Sequence, residues 1–309
     1  MSSASTIGLP AEADYFSFRT SAFRQSIGLK ELSAESWIEI DSHYPAQISL
    51  KESLFRAHEN EVFQAMPGTE YGCAQILKLV MDHLTRCFPY WFMISGSTIR
   101  NLITGQIILV EQRERNPLQI AAGLVQEDLC LMQPSPNGYQ LRAACVCFPS
   151  RWSLHEKMGN SMRGIHGPVP YYIEQIGAGS DQFLTALRQG RLVWRVNWSL
   201  HDGPDLFRPT MPPMWPGRTV TSQNAGDEVW LRVERQTLRR LEGCDDILFT
   251  IRTHVYPLRE LKRNVEAAAA LAEALRQWPK EVVEYKGCQA IVEPTVLWLE
   301  SLKNNPIPG

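Results

Sequence analysis

Long apolar runs are missing from this 309-residue chain. None reaches the roughly 18 residues that a membrane-spanning helix requires, so no membrane span is expected. The opening stretch MSSASTIGLPAEADYF has no basic segment followed by an apolar one, and no secretory leader is read from it. An excess of one charge is missing too: 31 Lys plus Arg stand against 33 Asp plus Glu, a net charge of −2. A general nucleic-acid binder carries a basic face, so nucleic acid is not an expected partner. The seven cysteines are odd in number and show no CxxC spacing. Cys145 and Cys147 fall on one strand face, too close to bridge comfortably. All seven read as thiols of a reducing cytoplasm, and no four-ligand zinc or iron–sulfur cluster is visible. Also absent are a P-loop, a strand–GxGxxG–helix unit and a GxSxG elbow; Gly177-Ala178-Gly179 is too short for a dinucleotide loop. With no internal repeat and no low-complexity linker, one α+β domain is the simplest organisation.

What is present begins with a mixed, Pro-containing stretch, residues 1–48, expected to form an irregular arm. The remainder, 49–309, reads as a single domain. Ser49 is placed to cap a helix through Gln64, with Leu50, Leu54, Ala57 and Val62 near one face. A second helix is expected from Thr69 to about Cys87, ended by Phe88-Pro89. Strands follow at Gln106–Val110, Asp128–Met132 and Tyr139–Phe148, the last two joined by the turn Pro134-Ser135-Pro136-Asn137-Gly138. Leu192–Leu200, Glu228–Arg235 and Ile247–Val255 alternate in the same way. The pattern predicts an antiparallel sheet with helices gathered at its ends. Residues 202–226 read as a long loop or flap, and Leu261–Trp278 as a helix closed by Pro279.

The chemistry-bearing residues gather between Gln126 and Tyr172. His166 precedes Gly167-Pro168-Val169-Pro170, whose prolines stiffen the backbone; this suits an axial ligand, though a histidine packed in a Pro-rich turn is the plainer account of the residues alone. Arg151, Lys157 and Arg163 could meet acidic groups of a ligand or simply form a solvated face. Trp152, Phe148 and Met158 suit a flat apolar slot or plain core. Glu127-Asp128, at a strand start, could form a site rim, though solvation or pairing with arginine is the plainer account. Arg195 sits mid-strand between Trp194 and Trp198. On a concave face it would be a buried cation in need of an anion or ligand; on an outer face it would be ordinary. Arg232, Glu234 and Gln236 share one strand face, most simply as a structural ion pair.

Taken in order, QEDLCLM, CVCFPSRWSLHEKMG, IHGPVP, WRVNWSL, LRVERQTLRRL and LFTIRTHVYPL resemble the alpha-subunit-like family of heme-dependent oxidative N-demethylases, as does the earlier WIEIDSHYPAQISLKESLF. The resemblance covers roughly residues 35–260. It implies a PAS-like antiparallel sheet with N-terminal and C-terminal helical additions, holding heme b. It implies a histidine-ligated iron, activation of dioxygen, and oxidation of a small amine with release of formaldehyde. Carried over by motif, His166 is the implied iron ligand, and His155 and His201 are its rivals. Arg195 is the implied catalytic residue, steadying oxygen or substrate. Lys157 and Arg151 are implied propionate partners, with Trp152 beside the cofactor. Electrons would come from a separate flavin or iron–sulfur reductase, or peroxide would replace it. Two other classes stay open: a heme-based PAS-like ligand sensor, and a heme-free binding protein that keeps only the fold. No output segment of a sensor is visible, and an absorption spectrum separates the heme-free class from the others.

Overall fold

The computed structural model describes residues 8–304, apart from 17, 19, 25, 112–113 and 211–216. The first seven residues of the expected arm, six of the expected flap and the last five of the chain therefore lie outside the described residues. Two antiparallel sheets carry the fold. Strands β1 (Lys30–Glu31), β2 (Phe63–Ala65), β6 (Asp128–Gln133), β7 (Gln140–Cys145), β8 (Leu192–His201), β9 (Trp230–Arg240) and β10 (Ile247–Pro257) form the larger one, in the order β1-β8-β9-β10-β6-β7-β2. Strands β3 (Phe92–Ser95), β4 (Thr98–Asn101) and β5 (Ile107–Leu109) form a separate small sheet, where the sequence had suggested one strand only. The hairpin between β6 and β7 forms at the expected turn, with Gly138 at φ 93°. The architecture is α+β, with helices packed around antiparallel sheets.

Helices α1 (Tyr44–Ala57), α2 (Glu59–Val62), α3 (Glu70–Cys87) and α4 (Pro117–Ala122) cover one face of the larger sheet. The first differs from its expected span. A proline at its first turn starts it at Tyr44, inside the stretch read as arm, and His58, at φ −135° and ψ 31°, leaves the helical conformation and ends it. Gln64 then lies in β2, opposite Ala144. The buried stripe of α1 includes Lys51, which the apolar pattern did not mark. Helix α4 is set by a reciprocal capping box between Asn116 and Gln119. On the opposite face lie α5 (Leu154–Lys157), α6 (Met162–His166) and α7 (Ala178–Ala186), whose apolar residues pack on β6, β7 and β8.

Towards the C-terminus come α8 (Ala225–Glu228), α9 (Val265–Arg276), α10 (Lys280–Tyr285) and α11 (Val292–Asn304). The expected helix from Leu261 is shorter, because Asn264 caps it with its side chain and Leu258–Arg263 forms a 3-10 turn instead. The expected strand Glu228–Arg235 is later and longer, at Trp230–Arg240, since Glu228 still belongs to α8. Among the described residues no helix is long and apolar enough to cross a membrane. All seven cysteines are free.

Helix α8 meets α11 through Gly226. A Cβ there would lie 2.3 Å from Cζ2 of Trp298, a ring that is itself buried and cannot swing away. Gly226→Ala is therefore expected to cost about 1–3 kcal/mol of stability by overpacking, measurable by denaturant unfolding. A variant as stable as the parent would show that this contact yields easily.

Candidate functional site

The face of the larger sheet that carries Arg195, Asn197 and Ser199 borders a cavity of about 870 Å³. That lies within the range of cofactor and small-molecule sites, roughly 300–1,000 Å³. The register explains which polar residues meet there: Arg195 stands opposite Gln236, and Asn197 opposite Glu234. Strands β6 and β10 add Met132, Phe249 and Ile251, an apolar floor beside the polar strip. Helices α5 to α7 form the roof, and the N-terminal arm and the α9–α10 region close the ends. His166, Arg195, Lys157, Arg151 and Trp152 all line this one cavity.

His166 is the last residue of α6 rather than part of a free-standing loop. Ser161 caps that short helix at its start by accepting from the Gly164 amide, and Pro168 follows its end. The His166 Nδ1 lies 2.9 Å from the Met162 carbonyl. A carbonyl only accepts, so Nδ1 carries the proton and Nε2 keeps its lone pair. The ring stacks on Tyr172, with centroids 4.5 Å apart and planes 12° from parallel. Burial, reinforced by the Arg195 and Lys157 cations, pushes its pKa down to about 4 against the pull of the Met162 carbonyl. The imidazole is thus neutral, oriented and of one tautomer, the state a metal ligand requires. Lys157 donates to the Ile165 carbonyl at 2.9 Å and so ties α5 to the end of the His166 helix.

The rival histidines differ. His155 is exposed and does not line the cavity. His201 is 2% exposed and lines the other end, its Nε2 bonded to Ser199 Oγ at 2.9 Å. Burial and then the Arg232, Arg208, Arg151 and Lys286 cations hold it well below the usual histidine range.

Arg151 occupies a corner built with unusual care. It has φ 63°, the left-handed region that costs a non-glycine residue about 1–3 kcal/mol. Its guanidinium donates to the Lys286 carbonyl at 2.7 Å, and its amide to the Arg208 carbonyl at 2.6 Å. The Asp128 carboxylate accepts from the amides of Cys147 and Phe148, each at 2.9 Å, and Arg232 donates to the Phe148 carbonyl. Lys51 Nζ lies 3.3 Å from Asp128, both side chains fully buried. Asp128 and Glu127 are thus interior, not solvated, and Asp128 pairs with lysine rather than arginine. Glu127 accepts from the Glu39 amide at 3.0 Å. The loop after β8 is fastened to the same corner by that Arg151 amide bond and by the Arg208 amide, which donates to the Pro149 carbonyl at 3.3 Å, and it is braced within itself by the Arg208–Asp202 pair at 2.6 Å.

Glu234 is the cavity residue that the sequence marked only as a structural ion-pair partner. It does form the expected ion pair, 3.6 Å from Arg232, but it also lines the cavity, 3.4 Å from Asn197 and 3.1 Å from Gln236. Its charge acts on His166 at one end and on Lys286 and Arg232 at the other. The strand alternation placed it with Arg232 and Gln236; only the pairing of β8 with β9 shows that its face is also that of Arg195.

Away from the cavity, Glu12, Asp41 and His254 bring possible metal-ligating atoms within 4.8 Å of one another. Those atoms are engaged already: Asp41 by Arg252 at 2.5 Å, and His254 by Glu12 at 2.8 Å and Glu39 at 3.2 Å. This network fastens the N-terminal arm to β10 and is structural.

A family model described as "Haem-dependent oxidative N-demethylase, alpha subunit-like" matches residues 28–296. The match spans the arm's end, the whole of the larger sheet and every residue of the cavity corner just described. The chain therefore belongs to the heme-dependent oxidative N-demethylase alpha-subunit-like family.

Proposed function

We propose that this chain is a heme-dependent monooxygenase that oxidatively demethylates a small amine. The observation that carries the proposal is His166: neutral, with Nδ1 committed to Met162 and Nε2 left for iron, in the same cavity as Arg195. The cavity residues fit heme b. The apolar floor and Trp152 suit the flat macrocycle, and Arg151 and Lys157 are the cations proposed for its propionates. On this reading the cavity face of the larger sheet is a PAS-like cradle.

When bound, heme supplies the oxidation of a C–H bond next to nitrogen at the expense of dioxygen. The chain supplies the rest. His166 would hold the heme iron through its Nε2, with the Tyr172 ring and the Met162 carbonyl fixing the orientation of the imidazole. Arg195, on the cavity face of β8, would offer guanidinium donors to the oxygen substrate or the amine held in the cavity. Glu234, which lines the same cavity, would accept from the N–H of the amine and so orient it. The enclosing helices keep bulk water from the site. Electrons are proposed to come from a separate flavin or iron–sulfur reductase, with the chain acting in the cytoplasm.

Purified protein offered hemin should develop a Soret band, and turnover with a reductase and candidate methylamines should release formaldehyde. A protein that never takes up hemin sinks the proposal. Arg195→Leu should keep its heme but lose about 10²–10³ in kcat, because one charge-assisted donor in a dry site is worth roughly 2–4 kcal/mol. Unchanged kcat would remove Arg195 from the chemistry.

A further inference from the structure

Beyond Arg195 and Lys157, four cations gather around the far end of the cavity. Arg151 and Lys286 line it directly, beside the buried His201, and Arg208 and Arg232 stand behind. The carboxylates facing this group are Asp202, taken by Arg208 at 2.6 Å, and Glu234, 3.6 Å from Arg232. Asp128 also acts on Arg232 but is held by Lys51. Positive charge is left in excess at the cavity wall. Two buried nitrogens there, Arg151 Nε and His201 Nδ1, have no hydrogen-bond partner. Lys286 Nζ donates to the Trp198 carbonyl at 3.1 Å and lies 5.4 Å from the centre of the Trp278 ring. An ammonium has three protons to donate, so this site is built to accept more. Trp198 and Trp278 stack at 4.9 Å and 18°, forming a flat apolar wall beside it.

We infer that Lys286, together with Arg151, forms a carboxylate-binding end of the cavity. Two half-buried cations lining the cavity, with unfilled donors and no carboxylate of their own among the described residues, call for an anion with several acceptor oxygens. Lys286 follows α10, so the C-terminal helices take part in ligand binding rather than only closing the fold. The inference rests on the heme reading for one of its two sources. The carboxylate belongs either to a heme propionate or to the amine substrate, which would then be an N-methyl amino acid.

The test compares the wild type with Lys286→Met and with Lys286→Arg, which keeps the cation. Each is titrated with hemin and with hemin dimethyl ester, and the hemin-loaded forms with sarcosine and dimethylamine. If the propionate is the source, Lys286→Met weakens hemin about tenfold, leaves the ester unchanged, and Lys286→Arg restores most of the loss. If the substrate is the source, hemin is held equally, and only sarcosine binding weakens by about tenfold in Lys286→Met. A folded Lys286→Met that changes neither overturns the inference. Should the wild type take up no hemin, the heme reading falls by itself. Succinate, followed by tryptophan fluorescence, then decides the carboxylate end: a response in the wild type that Lys286→Met lacks supports it, and no response in the wild type overturns it.

Discussion

His166→Ala is expected to give a folded protein that has lost its heme and, with it, all turnover. The fold should survive because the ring supports little else: its one hydrogen bond reaches a carbonyl of its own helix, and its stacking partner Tyr172 is held by a buried environment of its own. Helix α6 keeps its Ser161 cap and the Pro168 stop. The thermal midpoint should therefore move by only a few degrees, roughly what 1 kcal/mol does in a chain of this size. Heme retention should fall much further, since the ligand bond has no substitute at that place. Free imidazole should restore part of the spectrum by filling the space left behind. His201→Ala is the control, because it lines the same cavity. The four cations around His201 make it a poor place for a further positive centre such as iron. His201→Ala that loses the wild-type spectrum while His166→Ala keeps it would exchange their roles.

The sheet was legible because strand alternation survives in residues packed on both sides. β8, β9 and β10 lie where Leu192–Leu200, Glu228–Arg235 and Ile247–Val255 alternate; β8 and β10 start where expected, and the other ends are displaced by one to five residues. The β6–β7 hairpin was legible from Pro134 to Gly138 for a local reason, since a turn is written in its own residues. The small sheet was not legible: β3 to β5 are three or four residues each and carry Met93, Ile107 and Leu109 exposed, so no alternation marks an inside. At the site, the sequence offered His166 as a local object but left the face of Arg195 open. Facing is decided by pairing partners, and β8 meets β9 across the stretch between His201 and Trp230, a contact no short window along the chain contains. The cationic end was hidden for the same reason: Arg151, His201, Arg232 and Lys286 come from four separate parts of the chain. Lys51 was missed because an apolar stripe is counted in apolar residues, and a buried lysine breaks the pattern it belongs to.

That buried lysine sets the other large effect. Asp128→Ala is expected to cost about 3–5 kcal/mol of stability, because it strands a fully buried ammonium. Burial pushes the Asp128 carboxyl up from its usual range, and Lys51 and the two corner amides pull it back. Removing the carboxylate also leaves the Cys147 and Phe148 amides without their acceptor, each worth roughly 1–3 kcal/mol when buried and unmade. The damage should not stop at stability. Those amides hold the corner that forces Arg151 into its left-handed conformation, so a relaxed corner should let Arg151 leave the cavity wall. Weaker hemin binding should therefore accompany the lost stability, whereas the Gly226 substitution, far along the fold, should lower stability alone. The double variant Lys51→Met/Asp128→Leu separates the contributions. It removes both charges and should recover the part due to the stranded ammonium, yet not the part due to the two amides, which still lack an acceptor. Urea unfolding of the two variants, with hemin titration alongside, measures both parts. A loss below about 1 kcal/mol in Asp128→Ala would mean that water reaches Lys51 and the corner amides, and that the strained corner does not depend on this carboxylate.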